Sequence, residues 1–421
     1  MTLLTEDPMK TAMRFFLALF VFPAAGMADI RAGVGKAEIT PSVGTPSAGY
    51  MERQGQGMEG IHDPLLAIAL FLDNTEKQVV FCSVDHLGFT YDMVQEITAK
   101  IHAKKELKDC EVFVASSHTH SGGGAYLNIP VLGEGLAGKY NASTTQFYID
   151  KTCEAIFQAY LNQIPAKVGI GYGQAPVLSQ YRGLFPENVT PLRDVTVIKV
   201  TKVDNTPLAI LFNYPVHPTL LKGQNRLFSA DFVGYARNHL QSLIDASVQP
   251  IYFNGAQGDI LPVVFNEADS FDSCDQLGKS LAETAKAIWD TTNAQDHLQI
   301  TTEKEPYTFQ PKPTPFGLGL PVDLYKSEMN LIVLNQKHAF ITIPGELSCL
   351  YNKSLNKTGR KLGFNHVSIF GLTNDAHGYI ILPESWQHKT LESGLSFGGE
   401  NYGEITFKRA ETLLKAQAPK K

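Results

Sequence analysis

Short apolar runs of strand length alternate with helical stretches, and several of the runs stop abruptly at polar residues able to do chemistry. Val79–Val84 (VVFCSV) stops at Asp85-His86. Asp92–Lys105 then carries apolar residues at helical spacing. Glu111–Ala115 (EVFVA) follows and stops at Ser116-Ser117-His118-Thr119-His120. This strand-helix-strand rhythm is that of an α/β protein. In parallel α/β sheets, functional groups collect where the strands end, because the strand holds the backbone and the loop beyond is free to vary.

The same alternation continues along the chain. Ile30–Ile39 reads as a strand ended by Thr40-Pro41, since proline cannot pair in a central ladder. A Gly-rich loop, Tyr50–Gly60, follows. Leu66–Asp73, Ala166–Gly173, Leu192–Thr201, Pro207–Tyr214, Gln249–Phe253, Leu331–Leu334, Phe340–Ile343 and Phe364–Leu372 read as strands. Ala142–Asn162, Asp231–Ala246, Leu277–Thr291, Ser348–Thr358 and Arg409–Ala418 read as helices, with Asp231 a cap for its own. Lys312–Pro321, rich in Pro and Gly, reads as a surface loop. No repeat or linker divides the chain. The expectation is an α/β fold: a mixed β-sheet core flanked by helices, as one large domain over residues 29–421.

Charge excludes one class of partner. With 36 basic and 42 acidic residues the net charge is −6, and no basic block marks a nucleic-acid surface. The run Phe15–Ala25 is apolar for eleven residues, whereas a membrane span needs about 20. Lys10 and Arg14 precede it, and Gly26-Met27-Ala28 follows. That order predicts a signal peptide over residues 1–28, an exported protein (periplasmic or secreted), and no transmembrane span in the mature chain. Export permits disulfides, and Cys110–Cys153 is one conceivable pair among the five cysteines.

Four strand-end residues carry metal or acid-base chemistry. His118 and His120 form an H-x-H pair. In an extended segment both imidazoles point to one side, so either they share a metal or one binds it and the other faces a substrate. His217 sits between prolines in Pro215-Val216-His217-Pro218, directly after a strongly apolar strand. Glu346, in Ile343-Pro344-Gly345-Glu346, holds the equivalent place before a helix. Histidine nitrogen and carboxylate oxygen are the donors of zinc hydrolases that keep one position open.

Those residues carry a family resemblance. Gly33–Pro41 with Gly60–Asp63, Ser117–Gly124 (SHTHSGGG), Val216–Thr219 with Ser229–Tyr235, and Ile343–Glu346 with Gly371–Asn374 and Tyr379 run in the order found in the neutral/alkaline non-lysosomal ceramidases. The resemblance implies one Zn2+ per chain, held by His118, His217, Glu346 and Tyr379. It leaves His120 facing the scissile group and places Arg182 nearby. It implies hydrolysis of an amide bond by zinc-activated water, with ceramide, another amphipathic amide or a membrane-surface lipid as substrate. Asp85, His86 and Asp259 are candidates for orienting a ligand imidazole.

Three departures separate this chain from the family pattern. Gly258-Asp259-Ile260-Leu261-Pro262 puts Leu261 where the family often has serine. Leu391 stands where a family tyrosine would hold the developing oxyanion, leaving Tyr402 or His377 as possible substitutes. Longer family members carry a C-terminal immunoglobulin-like domain, and the resemblance is expected to cover the catalytic part alone. A zinc esterase, a lactonase, a small-molecule amidase or a non-catalytic zinc protein therefore stand as alternatives.

Overall fold

A computed structural model describes residues 29–183 and 186–419. The expected signal peptide, residues 1–28, lies outside them.

The first eight long strands are β1 (Arg31–Glu38), β2 (Leu66–Asp73), β3 (Gln78–Val84), β4 (Glu111–Ser116), β5 (Ile164–Gln174), β6 (Asp194–Lys202), β7 (Pro207–Tyr214) and β8 (Gln249–Asn254). They form one sheet in the order β8-β7-β6-β5-β1-β2-β3-β4. Its centre is antiparallel, but each edge pair, β3/β4 and β7/β8, is parallel. A second sheet holds β9 (Ile300–Phe309), β10 (Tyr325–Leu334), β11 (His338–Ile343) and β12 (His366–Gly371). Its β11/β12 pair is parallel too. Parallel neighbours need a crossover. Three helices supply it: α1 (Tyr91–His102) joins β3 to β4, α3 (Phe232–Leu243) joins β7 to β8, and α5 (Cys349–Leu362) joins β11 to β12. The other long helices are α2 (Ala142–Leu161), α4 (Ser270–Thr291) and α6 (Tyr402–Ala416).

The two sheets pack face to face and helices cover both outer faces. Strand periodicity explains how one apolar run serves two layers, since alternate side chains point to opposite faces. In β2, Ala67, Ala69 and Phe71 meet α1 and α2. Ile68, Leu70 and Leu72 face the second sheet. The inter-sheet layer is rich in rings: Phe253 and Phe370 lie 4.6 Å apart between centroids, Phe340 and Phe370 5.0 Å, and Phe81 and Phe113 5.7 Å. On the far side, α5 and α6 cover β10, β11 and β12.

Glycines in β1 let α2 lie directly on the sheet. A Cβ on Gly33 or Gly35 would fall 2.1 Å from the carbonyl oxygen of Ala159 or Ala155. That accounts physically for the G-x-G opening of the chain.

The expected α/β architecture is what the structure shows, with a second sheet added. Strand β9 escapes a reading by apolar runs because it is a largely exposed edge strand carrying Glu303, Lys304 and Glu305. Helices α4 and α6 begin earlier than their apolar spacing suggests, at Ser270 and Tyr402. All five cysteines are free and buried, so Cys110 and Cys153 are not paired.

Candidate functional site

The three parallel pairs aim their C-terminal ends at one place. His118 follows β4, His217 follows β7, Glu346 follows β11, and Tyr379 lies beyond β12. Glu346 and Tyr379 are direct register partners in a short parallel pairing of Glu346–Leu347 with Tyr379–Ile380.

Main-chain carbonyls fix the two imidazoles. His118 Nδ1 lies 2.6 Å from the Leu87 carbonyl oxygen, and His217 Nδ1 lies 2.9 Å from that of Ile260. A carbonyl only accepts, so each Nδ1 carries the proton and each Nε2 presents a lone pair. The Nε2 atoms stand 3.2 Å (His118) and 3.0 Å (His217) from one oxygen, Glu346 Oε2. All three atoms are buried without a hydrogen-bond partner. Three acceptors pointing at one another repel unless a cation lies between them. Two ligands ~2.0–2.1 Å from a tetrahedral zinc would stand about 3.3 Å apart, so the donor set fits such an ion. One ring nitrogen from each of His118, His120 and His217 also lies within 4.8 Å of the others.

Electrostatics agree with this arrangement. Burial raises the Glu346 carboxyl's pKa, but positive charge on His118 or His217 beside it outweighs burial and holds the group well below the usual range. His217 is pushed down to about 4, first by burial and then by the Arg182 charge. His120 falls well below its ordinary value through burial and the neighbouring His118 and His217. His120 is therefore neutral, and neither of its ring nitrogens has a partner. It packs tilted against Tyr50, with ring centroids 4.9 Å apart and planes at 59°, and Gly49, at φ +110, leaves room for it.

His118 departs from the extended geometry expected of H-x-H. It sits at φ +72, where a non-glycine residue is strained, a condition that clusters at functional sites. The imidazoles of His118 and His120 are accordingly nearly perpendicular, at 85°.

Arg182 and Tyr379 complete the group. An Arg182 Nη2 proton is donated to the Tyr379 hydroxyl (3.0 Å) and to the Gly258 carbonyl (2.8 Å), while Nε lies 2.8 Å from Glu392 Oε1. Burial raises the pKa of the Tyr379 phenol and the Glu346 charge adds to the rise, so its hydroxyl stays protonated in this arrangement.

The imidazole-orienting expectation for Asp85, His86 and Asp259 is corrected, because carbonyls of Leu87 and Ile260 occupy those positions. Asp85 takes both ends of the Arg237 guanidinium, at 2.9 and 2.6 Å. His86 contributes its main-chain oxygen, which accepts from the His118 amide at 2.9 Å. Asp259 accepts from the Cys349 amide (2.9 Å) and the Ser348 hydroxyl, anchoring the start of α5 behind Glu346.

Two residues not assigned from sequence hold the loops in place. Asn254, fully buried at the end of β8, donates to the carbonyls of Ser117 (3.0 Å) and Val216 (3.1 Å), tying both histidine loops together. Its place at a strand end was the available signal. Arg53, also buried, donates to the carbonyls of His120 (2.5 Å), Lys222 and Gly223 (both 3.0 Å). Nothing in the Gly-rich loop marks it.

A cavity of about 720 Å3 opens over His120, Arg182 and Tyr379. That is the size of a small-molecule site. Leu261 and Leu391 both line it, so the two positions that lack a family hydroxyl are apolar wall. Phe316 and Leu318 line it as well, making the expected surface loop a cavity wall. Tyr402 and His377 do not line it. Tyr402 Oη lies 2.9 Å from His377 Nε2 and 3.1 Å from Tyr307 Oη.

Fold and site together define an α/β protein with a buried donor set able to hold a metal ion under an apolar cavity. The pattern of neutral/alkaline non-lysosomal ceramidases, N-terminal part, matches residues 30–256. The chain belongs to that family. It is 26% identical over 303 residues to the neutral ceramidase of Drosophila melanogaster, covering 64% of this chain and 41% of that protein. It is 26% identical over 228 residues to neutral ceramidase A of Dictyostelium discoideum, covering 48% and 30%. The match thus spans well under half the length of these relatives. The crystal structure of neutral ceramidase from Pseudomonas aeruginosa superposes with a TM-score of 0.81 at 17% identity, over 92% of this chain and 74% of that one. Glu346 and Tyr379 lie beyond the matched family segment, within a fold that the structural likeness covers.

Proposed function

We propose that this chain is a zinc-dependent hydrolase that cleaves the amide bond of an N-acyl lipid, with ceramide the first candidate. The observation that carries this is the meeting of His118 Nε2, His217 Nε2 and Glu346 Oε2 without other partners, next to His120 and Tyr379, which line an apolar cavity. His118, His217, Glu346 and Tyr379 would hold one zinc ion. Zinc bound there supplies Lewis acidity, which polarises a carbonyl and acidifies water.

The side chains do the rest. His120 is neutral and unpartnered, so it can take a proton from water and pass it to the leaving amine. Arg182 brings fixed positive charge to the cavity wall and keeps the Tyr379 hydroxyl oriented, which favours a developing oxyanion. Leu261 supplies no hydroxyl, so attack by a serine at that position is excluded. Leu261, Val264, Leu318 and Leu391 present hydrocarbon to the substrate. No described helix is long and apolar enough to cross a membrane. We further propose that residues 1–28 act as a signal peptide and that the mature protein is exported.

The replacement of both hydroxyl positions by leucine favours a second reading, an esterase or an amidase for a smaller substrate. The test is metal analysis of the purified protein together with kcat/KM on long-chain N-acyl sphingosines, N-acyl amino acids, short amides and esters. One zinc per chain and a preference for N-acyl sphingosine are expected. Full activity after metal removal refutes the zinc reading, and a preference for short esters refutes the lipid amide.

A further inference from the structure

Two of the three imidazoles at the centre are fixed by hydrogen bonds to the ring, and the third is not. Main-chain carbonyls hold Nδ1 of His118 and of His217. Neither ring nitrogen of His120 has a partner. The His120 ring is therefore oriented through its main chain and through packing. Both come from residues 47–53. Arg53 Nη1 donates to the His120 carbonyl oxygen at 2.5 Å, and the Ser47 hydroxyl donates to it at 3.2 Å. The Tyr50 ring packs against the imidazole, and the Arg53 guanidinium lies 5.0 Å from the centre of the Tyr50 ring. Gly49 lies against the imidazole as well, since a Cβ there would fall 2.5 Å from His120 Nδ1. The only other main-chain tie of His120 is its amide, which donates to the Pro218 carbonyl at 3.3 Å.

Arg53 is a costly residue for a purely structural tie. It is 4% exposed. Its four acceptors, the carbonyls of His120, Lys222 and Gly223 and the Ser47 hydroxyl, are all neutral. Burial lowers its pKa to about 10, so it stays charged at neutral pH with no carboxylate on its fork. A buried charge without an opposite partner is expensive, and well-packed apolar side chains often replace buried ions without loss of stability. What the guanidinium offers in return is a planar fork that fixes several acceptors at once. We propose that Arg53 is a positioning residue for the acid-base step: by gripping the His120 carbonyl it holds that imidazole where it can exchange a proton with water and with the leaving amine. The inference rests on the hydrolase reading above and adds the residue that sets its proton carrier. A displacement of about 1 Å at a reacting group costs about 10² in rate. Arg53 does not line the cavity over His120, and none of His118, His217 and Glu346 is among its hydrogen-bond partners. Its loss should therefore fall on turnover and spare the binding of metal and substrate.

The test uses the full zinc-loaded chain. Arg53→Met should lower kcat on N-acyl sphingosine by about 10², with KM changed less than threefold and zinc still bound at the wild-type stoichiometry. Arg53→Lys keeps the charge and loses the fork; it covers a failure of Arg53→Met to fold, and should lower kcat at least tenfold. A double-mutant cycle separates positioning from general damage. In a His120→Ala background, where the residue being positioned is gone, either substitution should cost less than threefold. A second arm needs no turnover. Crystal structures of the zinc-loaded variants should show the His120 ring displaced or in two rotamers, with His118 and His217 in place. Wild-type kcat in a folded Arg53→Lys, an equal loss with and without His120, or a His120 ring left where it was overturns the proposal. A His120 ring released in the variants of a chain that cleaves no amide or ester would refute the hydrolase reading alone.

Discussion

Removing Arg182 separates its structural work from its chemical work. Its Nε stands 2.8 Å from Glu392 Oε1, with side-chain exposures of only 14% and 4%. Deleting one partner of a buried ion pair strands the other charge and costs about 3–5 kcal/mol. Arg182 keeps some contact with solvent, so Arg182→Met should lose about 3 kcal/mol. Adding Glu392→Gln removes the stranded charge and should return about 2 kcal/mol. Hydrolysis should not recover with it. The Tyr379 hydroxyl has lost its donor at 3.0 Å in both variants, and loss of one donor at such a site costs about 10²–10³ in rate. Urea unfolding and kcat/KM on the same preparations complete a double-mutant cycle. Coupling below about 0.5 kcal/mol would refute the ion-pair argument. Activity restored together with stability would show that Arg182 serves folding alone.

Replacing His217 with Ala should abolish both tight zinc binding and hydrolysis, read by metal analysis after gel filtration; retained stoichiometric zinc would contradict the donor set. His120→Ala should keep the metal and lose about 10²–10⁴ in kcat, as expected for a lost acid-base group. Phe81→Ala, which removes a ring packed 6.1 Å from both Phe253 and Phe370, should cost about 3–5 kcal/mol in urea unfolding. Asp231 offers a pH test, because burial raises its carboxyl to about 6 from 3.8. Between those values the unfolded chain binds fewer protons than the folded one, so this group's contribution to stability falls as pH rises. From pH 4 to 7, stability of Asp231→Asn relative to wild type should therefore improve by about 2–3 kcal/mol; a flat difference would refute the shift.

What the sequence determined by itself was local. Apolar runs placed most strands, helical spacing placed most helices, and the polar residues closing those runs included His118, His217 and Glu346. These properties belong to contiguous residues, so periodicity carries them. Strand β9 lay beyond that reach because an exposed edge strand has no apolar face to advertise. The tertiary structure decided what no window of residues contains. It divided the strands between two stacked sheets, and brought Glu346 Oε2 within 3.2 Å of two imidazoles drawn from other strand ends. It also gave the orienting role to the carbonyls of Leu87 and Ile260 instead of Asp85, His86 or Asp259. Every residue carries a carbonyl, so its selection leaves no trace in composition or motif. Only the path of the folded backbone determines which one meets an imidazole.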